Sequence, residues 1–92
     1  MIAVHSIADV FPAIEELISL LPSQGGSRLS MVLQHRMHAV TWTTSGELYE
    51  ELIGILEEAI STDATPLTPE TRLQMEKIAQ LLNEYLQDSL RA

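Results

Sequence analysis

Three histidines, His5, His35 and His38, are the residues of this sequence best suited to metal chemistry. Neutral imidazole is a common ligand of zinc and of other transition metals. If residues 28–44 form strands, side chains three positions apart point to opposite faces unless a turn redirects them. No cluster of aspartate or glutamate lies near these histidines in sequence, and the chain has no cysteine. The sequence therefore predicts no metal site and no cofactor, and we interpret the histidines as polar edge or turn residues.

Other catalytic signatures are also missing from the sequence. Serine, histidine and acids are present, but without the nucleophile elbow that positions a catalytic serine. The Gly25-Gly26 pair belongs to neither a phosphate loop nor a dinucleotide fingerprint. The pairs Glu50-Glu51 and Glu57-Glu58 fit a solvated helix face. We therefore predict that the protein is not an enzyme and has no small-molecule substrate. A metal-dependent enzyme stays as an alternative that would require bound zinc or manganese.

The charge of the chain is concentrated in its second half. The net charge is −8 over 92 residues. Residues 1–45 carry two arginines and three acids, net −1, whereas residues 46–92 carry three basic residues and ten acids, net −7. An acidic half of this kind repels nucleic acid and favours binding to a basic protein partner. The alternative is that the acidic helices only keep a small protein soluble. With no signal peptide, no long apolar run and no cysteine, we expect one small cytoplasmic domain and no membrane contact.

The elements that must position these residues are predicted from hydrophobic periodicity. Residues 1–5 suit a short strand, and residues 28–36 alternate, with Leu29, Met31 and Leu33 on one face. Residues 38–44 are rich in β-formers, so the two runs predict an antiparallel hairpin that turns near Arg36 and Met37. Together with the helices described next, the order β-α-β-β-α-α predicts an α+β fold with helices packed on a small antiparallel sheet.

Three helices are predicted around this hairpin. Ser6 and Asp9 form a capping-box pattern, and Pro12 then begins a helix that Pro22 closes. A second helix starts at residues 44–47 and runs to about Ile60. A third begins at Thr68-Pro69-Glu70 and runs to about residue 89. We divide the chain into a module over residues 1–60 and a linker with a C-terminal helix over residues 61–92.

Residues 1–56 resemble the Phd/YefM-type antitoxins, the prevent-host-death family, in order, length and spacing. Ser45-Gly46-Glu47-Leu48-Tyr49 matches the Ser-x-Glu-x-Tyr-like helix start of that family. LQHRMHAVTWTTS stands where the family has a hairpin with a basic turn, and IADVFPAIEELISLL where it has its first amphipathic helices. The resemblance implies a homodimer that binds operator DNA through its N-terminal module and neutralises a small basic toxin through its C-terminal part.

The resemblance assigns roles to particular residues. DNA contacts fall on Arg28, Arg36 and His38, and we expect them to be weak because Phe11 and His38 stand where the family often has an arginine and a lysine. The expected dimer interface contains Val40, Trp42 and Tyr49. The expected toxin-binding stripe lies on the last helix and comprises Leu73, Ile78, Leu82, Tyr85 and Leu86. The alternative is a non-catalytic dimeric scaffold or adaptor that binds neither toxin nor DNA.

Overall fold

The computed structural model describes residues 4–40, 45–61 and 67–91, which are helical apart from short connections. The α-helices are α1 (Val10–Leu20), α2 (Ser27–Gln34), α3 (Ser45–Ser61) and α4 (Pro69–Arg91). A 3₁₀ turn, Ile7–Asp9, precedes α1, a second, Leu21–Gln24, follows it, and a π-helical turn, His35–Ala39, extends α2. The described ranges contain no β-strand. The predicted α+β architecture is therefore wrong, and the fold is all-α.

The segment predicted as a hairpin is helical over residues 28–39, and Val40 follows the π-helical turn with an extended backbone. Its first strand, residues 28–36, lies in α2 and in the π-helical turn, and that turn also takes the first residues of the second strand. Residues 41–44 of that strand lie outside the described residues. Burial follows the helical period: Leu29, Leu33 and Met37, four residues apart, pack on the core. Met31 would share a strand face with Leu29 and Leu33, yet it is 70% exposed.

The strand prediction failed because a short alternating run of apolar residues fits both the strand period of two and the helical period of 3.6. Residues 28–36 contain Arg, Leu, Met and Gln, which are good helix formers, and Val32 is their only β-branched residue. Ser30 settles the choice further, because this buried side chain donates to the carbonyl oxygen of Ile18 in α1 at 2.5 Å. A helix brings Ser30 and Leu33 to the same face, whereas a strand would separate them.

The N-terminal segment keeps its predicted cap, and the two described residues of its predicted strand are not in a strand. Residues 1–3 lie outside the described residues, and Val4 and His5 are neither helix nor strand. The Asp9 carboxylate accepts hydrogen bonds from the amides of His5 (3.0 Å) and Ser6 (3.2 Å). The His5 amide bond is the main cause that lowers the pKa of Asp9. Helix α1 begins two residues before Pro12, whose missing N–H needs no partner in a first turn.

One hydrophobic core joins all four helices. Val10, Ile14 and Leu17 of α1 and Leu33 of α2 are buried there. The buried residues of α3 are Tyr49, Leu52, Leu56 and Ala59, and those of α4 are Met75, Ile78, Ala79 and Leu82. Because α4 supplies part of this core, it is folded onto the helices of residues 1–60 and does not form a separate segment.

Helices α3 and α4 are antiparallel neighbours. Tyr49 near the start of α3 contacts Tyr85 near the end of α4, with ring centroids 5.3 Å apart. At the other end, Arg72 Nη1 donates to the carbonyl oxygen of Ile60 at 2.7 Å, which satisfies a terminal carbonyl of α3. The α3–α4 pair is therefore tied at both ends.

The start of α4 is also tied to the turn after α1. Thr68 caps the helix, since its Oγ1 accepts the Thr71 amide proton at 3.2 Å. The buried Thr71 hydroxyl accepts from Thr68 Oγ1 and donates to Gln24 Oε1 at 3.0 Å. Gly25 ends that turn with φ of 80°, a conformation that glycine adopts without strain. None of the helices in the described ranges combines the length and the hydropathy that a bilayer span requires.

Candidate functional site

The outward face of α3 is an acidic stripe. Its exposed positions recur at i, i+3, i+7 and i+10, which keeps them on one side of a helix. Glutamates occupy both ends of the stripe and Gly54 occupies its middle; the exposed acids are Glu47, Glu50, Glu57 and Glu58. A Cβ atom added at Gly54 would meet no atom within 4 Å. The stripe is therefore open to solvent along its whole length.

The outward face of α4 is also polar and carries one exposed apolar side chain. Leu73 is 66% exposed on the side opposite Met75 and Ile78. The polar residues on its side of the helix include Glu70, Lys77, Gln80 and Glu84, and Gln80 Nε2 donates to Glu84 Oε1 at 3.2 Å. Among the side chains described on α3 and α4, Lys77 is the only exposed basic one. We call the outward faces of α3 and α4, with Leu73, the acidic surface.

The predicted toxin-binding stripe does not lie on one face. Ile78 and Leu82 are fully buried in this chain's own core, and Leu86 packs partly against it. Tyr85 is 42% exposed, with its ring against Tyr49. Of the predicted stripe, only Leu73 presents most of its surface to solvent.

The residues expected to contact DNA are partly engaged with carboxylates. Arg36 Nε lies 3.1 Å from Glu51 Oε1 of α3, and its Nη1 lies 2.6 Å from His35 Nδ1. His38 Nε2 lies 2.5 Å from Glu15 Oε1 of α1. Arg28 is exposed on α2. Carboxylates beside Arg36 and His38 reduce the positive potential available to a phosphate backbone.

The predicted dimer-interface residues are also separated in the structure. Val40 is half-buried after the π-helical turn, and Trp42 lies outside the described residues. Tyr49 is buried within the chain, between the rings of Phe11 (centroids 5.7 Å apart) and Tyr85. Burial, with a smaller contribution from Tyr85, raises the pKa of the Tyr49 hydroxyl. Tyr49 therefore holds α1, α3 and α4 together within one chain.

A second feature, which the sequence reading missed, lies on the outward side of α2. A shallow depression of about 320 Å³ is lined by Met31, Gln34, His35, His38 and Ala39. All five residues come from one continuous helical segment. The sequence signal was present as the spacing of Met31, His35 and His38 by four and three residues, but it has meaning only on a helix. In the described part of the chain, no three His, Asp or Glu side chains gather as a metal-ligand set.

Comparisons of the chain with protein-family models, curated proteins and solved structures found no match.

Proposed function

We propose that this protein is a non-catalytic cytoplasmic module that binds a small basic protein through the acidic surface. The observation that carries the proposal is Leu73, an exposed apolar side chain within an otherwise polar helix face that includes Glu70 and Glu84. Interfaces commonly place an apolar anchor within a polar rim, and the anchor supplies most of the affinity. The surrounding glutamates supply attraction for a basic partner and raise the association rate.

The mechanism is occlusion by a prefolded surface. Because α4 already packs on α1 and α3, no ordering of that helix is needed on binding. The partner covers Leu73 and the acidic stripe of α3, and its own basic surface is neutralised. Toxin neutralisation is the form of this activity that the sequence resemblance of residues 1–56 to the Phd/YefM-type antitoxins implies. That part of the proposal rests on charge, because residues 33–39 of the hairpin segment in the resemblance are helical. DNA binding is not included in it.

Co-purification from the native host, followed by mass spectrometry, tests the proposal. We expect one stoichiometric basic protein whose retention falls with salt, since exposed charges are screened. Leu73→Ser should lower its affinity about 5- to 30-fold, the range of a residue that contributes about 1–2 kcal/mol. Met31→Ser is the matched control, because it removes a similarly exposed apolar side chain, 70% against 66%, from α2, which lies outside the acidic surface.

The charge contribution is tested on the purified pair. Glu50→Gln combined with Glu57→Gln should lower the association rate more than it raises the dissociation rate. Recovery of the protein alone, from cells that express its neighbouring genes, would contradict the proposal and favour a solitary adaptor. An acidic partner, or equal losses for Leu73→Ser and Met31→Ser, would also contradict it.

A further inference from the structure

We propose that Met31, His35 and His38 form a binding site for a soft monovalent metal ion, Cu(I), in the depression on α2 and its π-helical turn. A strand would send His35 and His38 to opposite faces, but the segment is helical, so the objection to a shared site no longer applies. Met31 and His35 are four residues apart, a spacing at which two side chains of one helix face can chelate a single ion. All three side chains line the same depression.

The donor set selects the class of metal. Thioether sulfur is a soft ligand that favours Cu(I), and imidazole binds copper well. A hard divalent ion would need carboxylates, and no three His, Asp or Glu side chains gather anywhere in the described ranges. Met31 is also 70% exposed, so its sulfur is accessible without displacing core atoms. We therefore expect the site to bind a soft ion and to bind Mg²⁺ or Mn²⁺ only weakly.

A carboxylate already positions one imidazole. His38 Nε2 lies 2.5 Å from Glu15 Oε1, and the ring form that donates Nε2–H to Glu15 and binds a metal has its lone pair on Nδ1. A carboxylate on the non-ligating nitrogen orients metal-binding histidines and makes the ligating nitrogen more basic. Glu15 is thus a positioning residue for His38. The π-helical turn at this place is the kind of helix irregularity that is frequent at functional sites.

His35 changes its tautomer if it binds the ion through Nε2, the nitrogen that Arg36 does not contact. Arg36 Nη1 lies 2.6 Å from His35 Nδ1, and because arginine can only donate, Nδ1 accepts and the ring proton is on Nε2. Binding through Nε2 moves that proton to Nδ1 and breaks the hydrogen bond from Arg36, with no net proton release. Arg36 keeps its ion pair with Glu51, so its charge stays balanced beside the bound cation.

Titration of the full chain with Ag(I), a redox-stable probe for Cu(I), tests the site. We expect one equivalent to bind, with shifts of the Met31 methyl signal and of both imidazoles, and with conversion of His35 to the Nδ1–H form by ¹⁵N NMR. Met31→Leu and His35→Gln should each remove most of the affinity. Glu15→Gln should lower it about 10- to 100-fold, as loss of an outer-shell partner does. His5→Gln, at an exposed histidine outside the depression, is the matched control and should change nothing.

Three outcomes would overturn the proposal. The first is the absence of a saturable one-to-one Ag(I) site. The second is a site whose affinity is the same in Met31→Leu, which would exclude the sulfur. The third is Zn²⁺ binding at least as tightly as Ag(I), which would indicate a simple histidine pair. Circular dichroism of each variant establishes that the helices are intact, and exposed positions such as Met31 and His35 should tolerate substitution.

Discussion

Leu33→Ala and Met31→Ala together test the helical assignment of residues 27–39. Leu33 is completely buried and Met31 is 70% exposed, although only one residue separates them. Truncation of a buried leucine costs about 2–5 kcal/mol, from lost transfer energy and the cavity left behind. Truncation of an exposed side chain on a helix changes stability by less than about 0.5 kcal/mol. The two variants should therefore differ by at least about 1.5 kcal/mol.

Urea denaturation followed by circular dichroism measures this difference directly. A domain of about this size has a total stability of about 5–15 kcal/mol, so Leu33→Ala loses a large share of it. At about 4–8 °C per kcal/mol, its melting temperature should fall by roughly 8–40 °C. The m-value should be unchanged in both variants, since neither alters the surface exposed on unfolding.

A strand gives the opposite result, because Leu29, Met31 and Leu33 would then lie on the same buried face. Equal destabilisation by Met31→Ala and Leu33→Ala would therefore refute the helix. Val32→Ala provides a control between them, since Val32 is half-buried in the helix and should give an intermediate loss.

Three further substitutions test other parts of the fold. Thr71→Val should cost about 1–3 kcal/mol in urea denaturation, because it leaves Gln24 Oε1 without its donor and removes the hydroxyl that accepts from Thr68; no loss would show that this buried contact is unimportant. Gly54→Ala should stabilise the protein by about 0.5–1 kcal/mol, since an added methyl group meets no neighbour and glycine disfavours a helix interior; destabilisation would contradict the open α3 stripe. The folded pKa of Asp9 is lowered, so its contribution to stability is present above the unfolded value of about 3.9 and is lost as pH falls through the folded pKa. Asp9→Asn should remove that part of the acid dependence, and identical acid unfolding curves for the two proteins would contradict it.

The helices with clear start signals were predictable from the sequence. Proline at the first position and Thr68 before it mark the start of α4, and α4 begins there. The apolar stripe of α3 was long enough to exclude a strand, and Leu52 and Leu56 are buried as its period requires. Capping and long periodic stripes are local properties, so a single sequence specifies them well.

Residues 28–39 were not predictable in the same way. Leu29, Met31 and Leu33 satisfy a period of two, while Leu29, Leu33 and Met37 satisfy a helical period, and the sequence alone does not choose between them. The choice depends on tertiary contacts, namely the hydrogen bond from Ser30 to Ile18 and the pairs that Arg36 and His38 form with α3 and α1. Such contacts join residues far apart in sequence, and local propensity does not report them.

The candidate sites were also predictable only in part from the sequence. The acidic character of residues 46–92 was evident from composition, but which apolar residues of α4 face outward depended on the packing of the helix. Ile78 and Leu73 are both large apolar residues of α4, yet Ile78 is buried in the core and Leu73 is exposed.

The wrong strand assignment changed the chemistry attributed to the chain as well as its fold. On a hairpin, His35, Arg36 and His38 stand around a turn, where a basic cluster can contact phosphate. On a helix, Arg36 turns toward Glu51 of α3, while His35 and His38 line a depression with Met31. Arg36 is then less available to a phosphate, and the two histidines are placed as the proposed cation site requires. The backbone conformation therefore decides whether His35 and His38 are placed to bind an anion or a cation. The proposed metal site requires a helix over residues 27–39. If the Leu33→Ala and Met31→Ala comparison refutes that helix, it refutes the metal site as well.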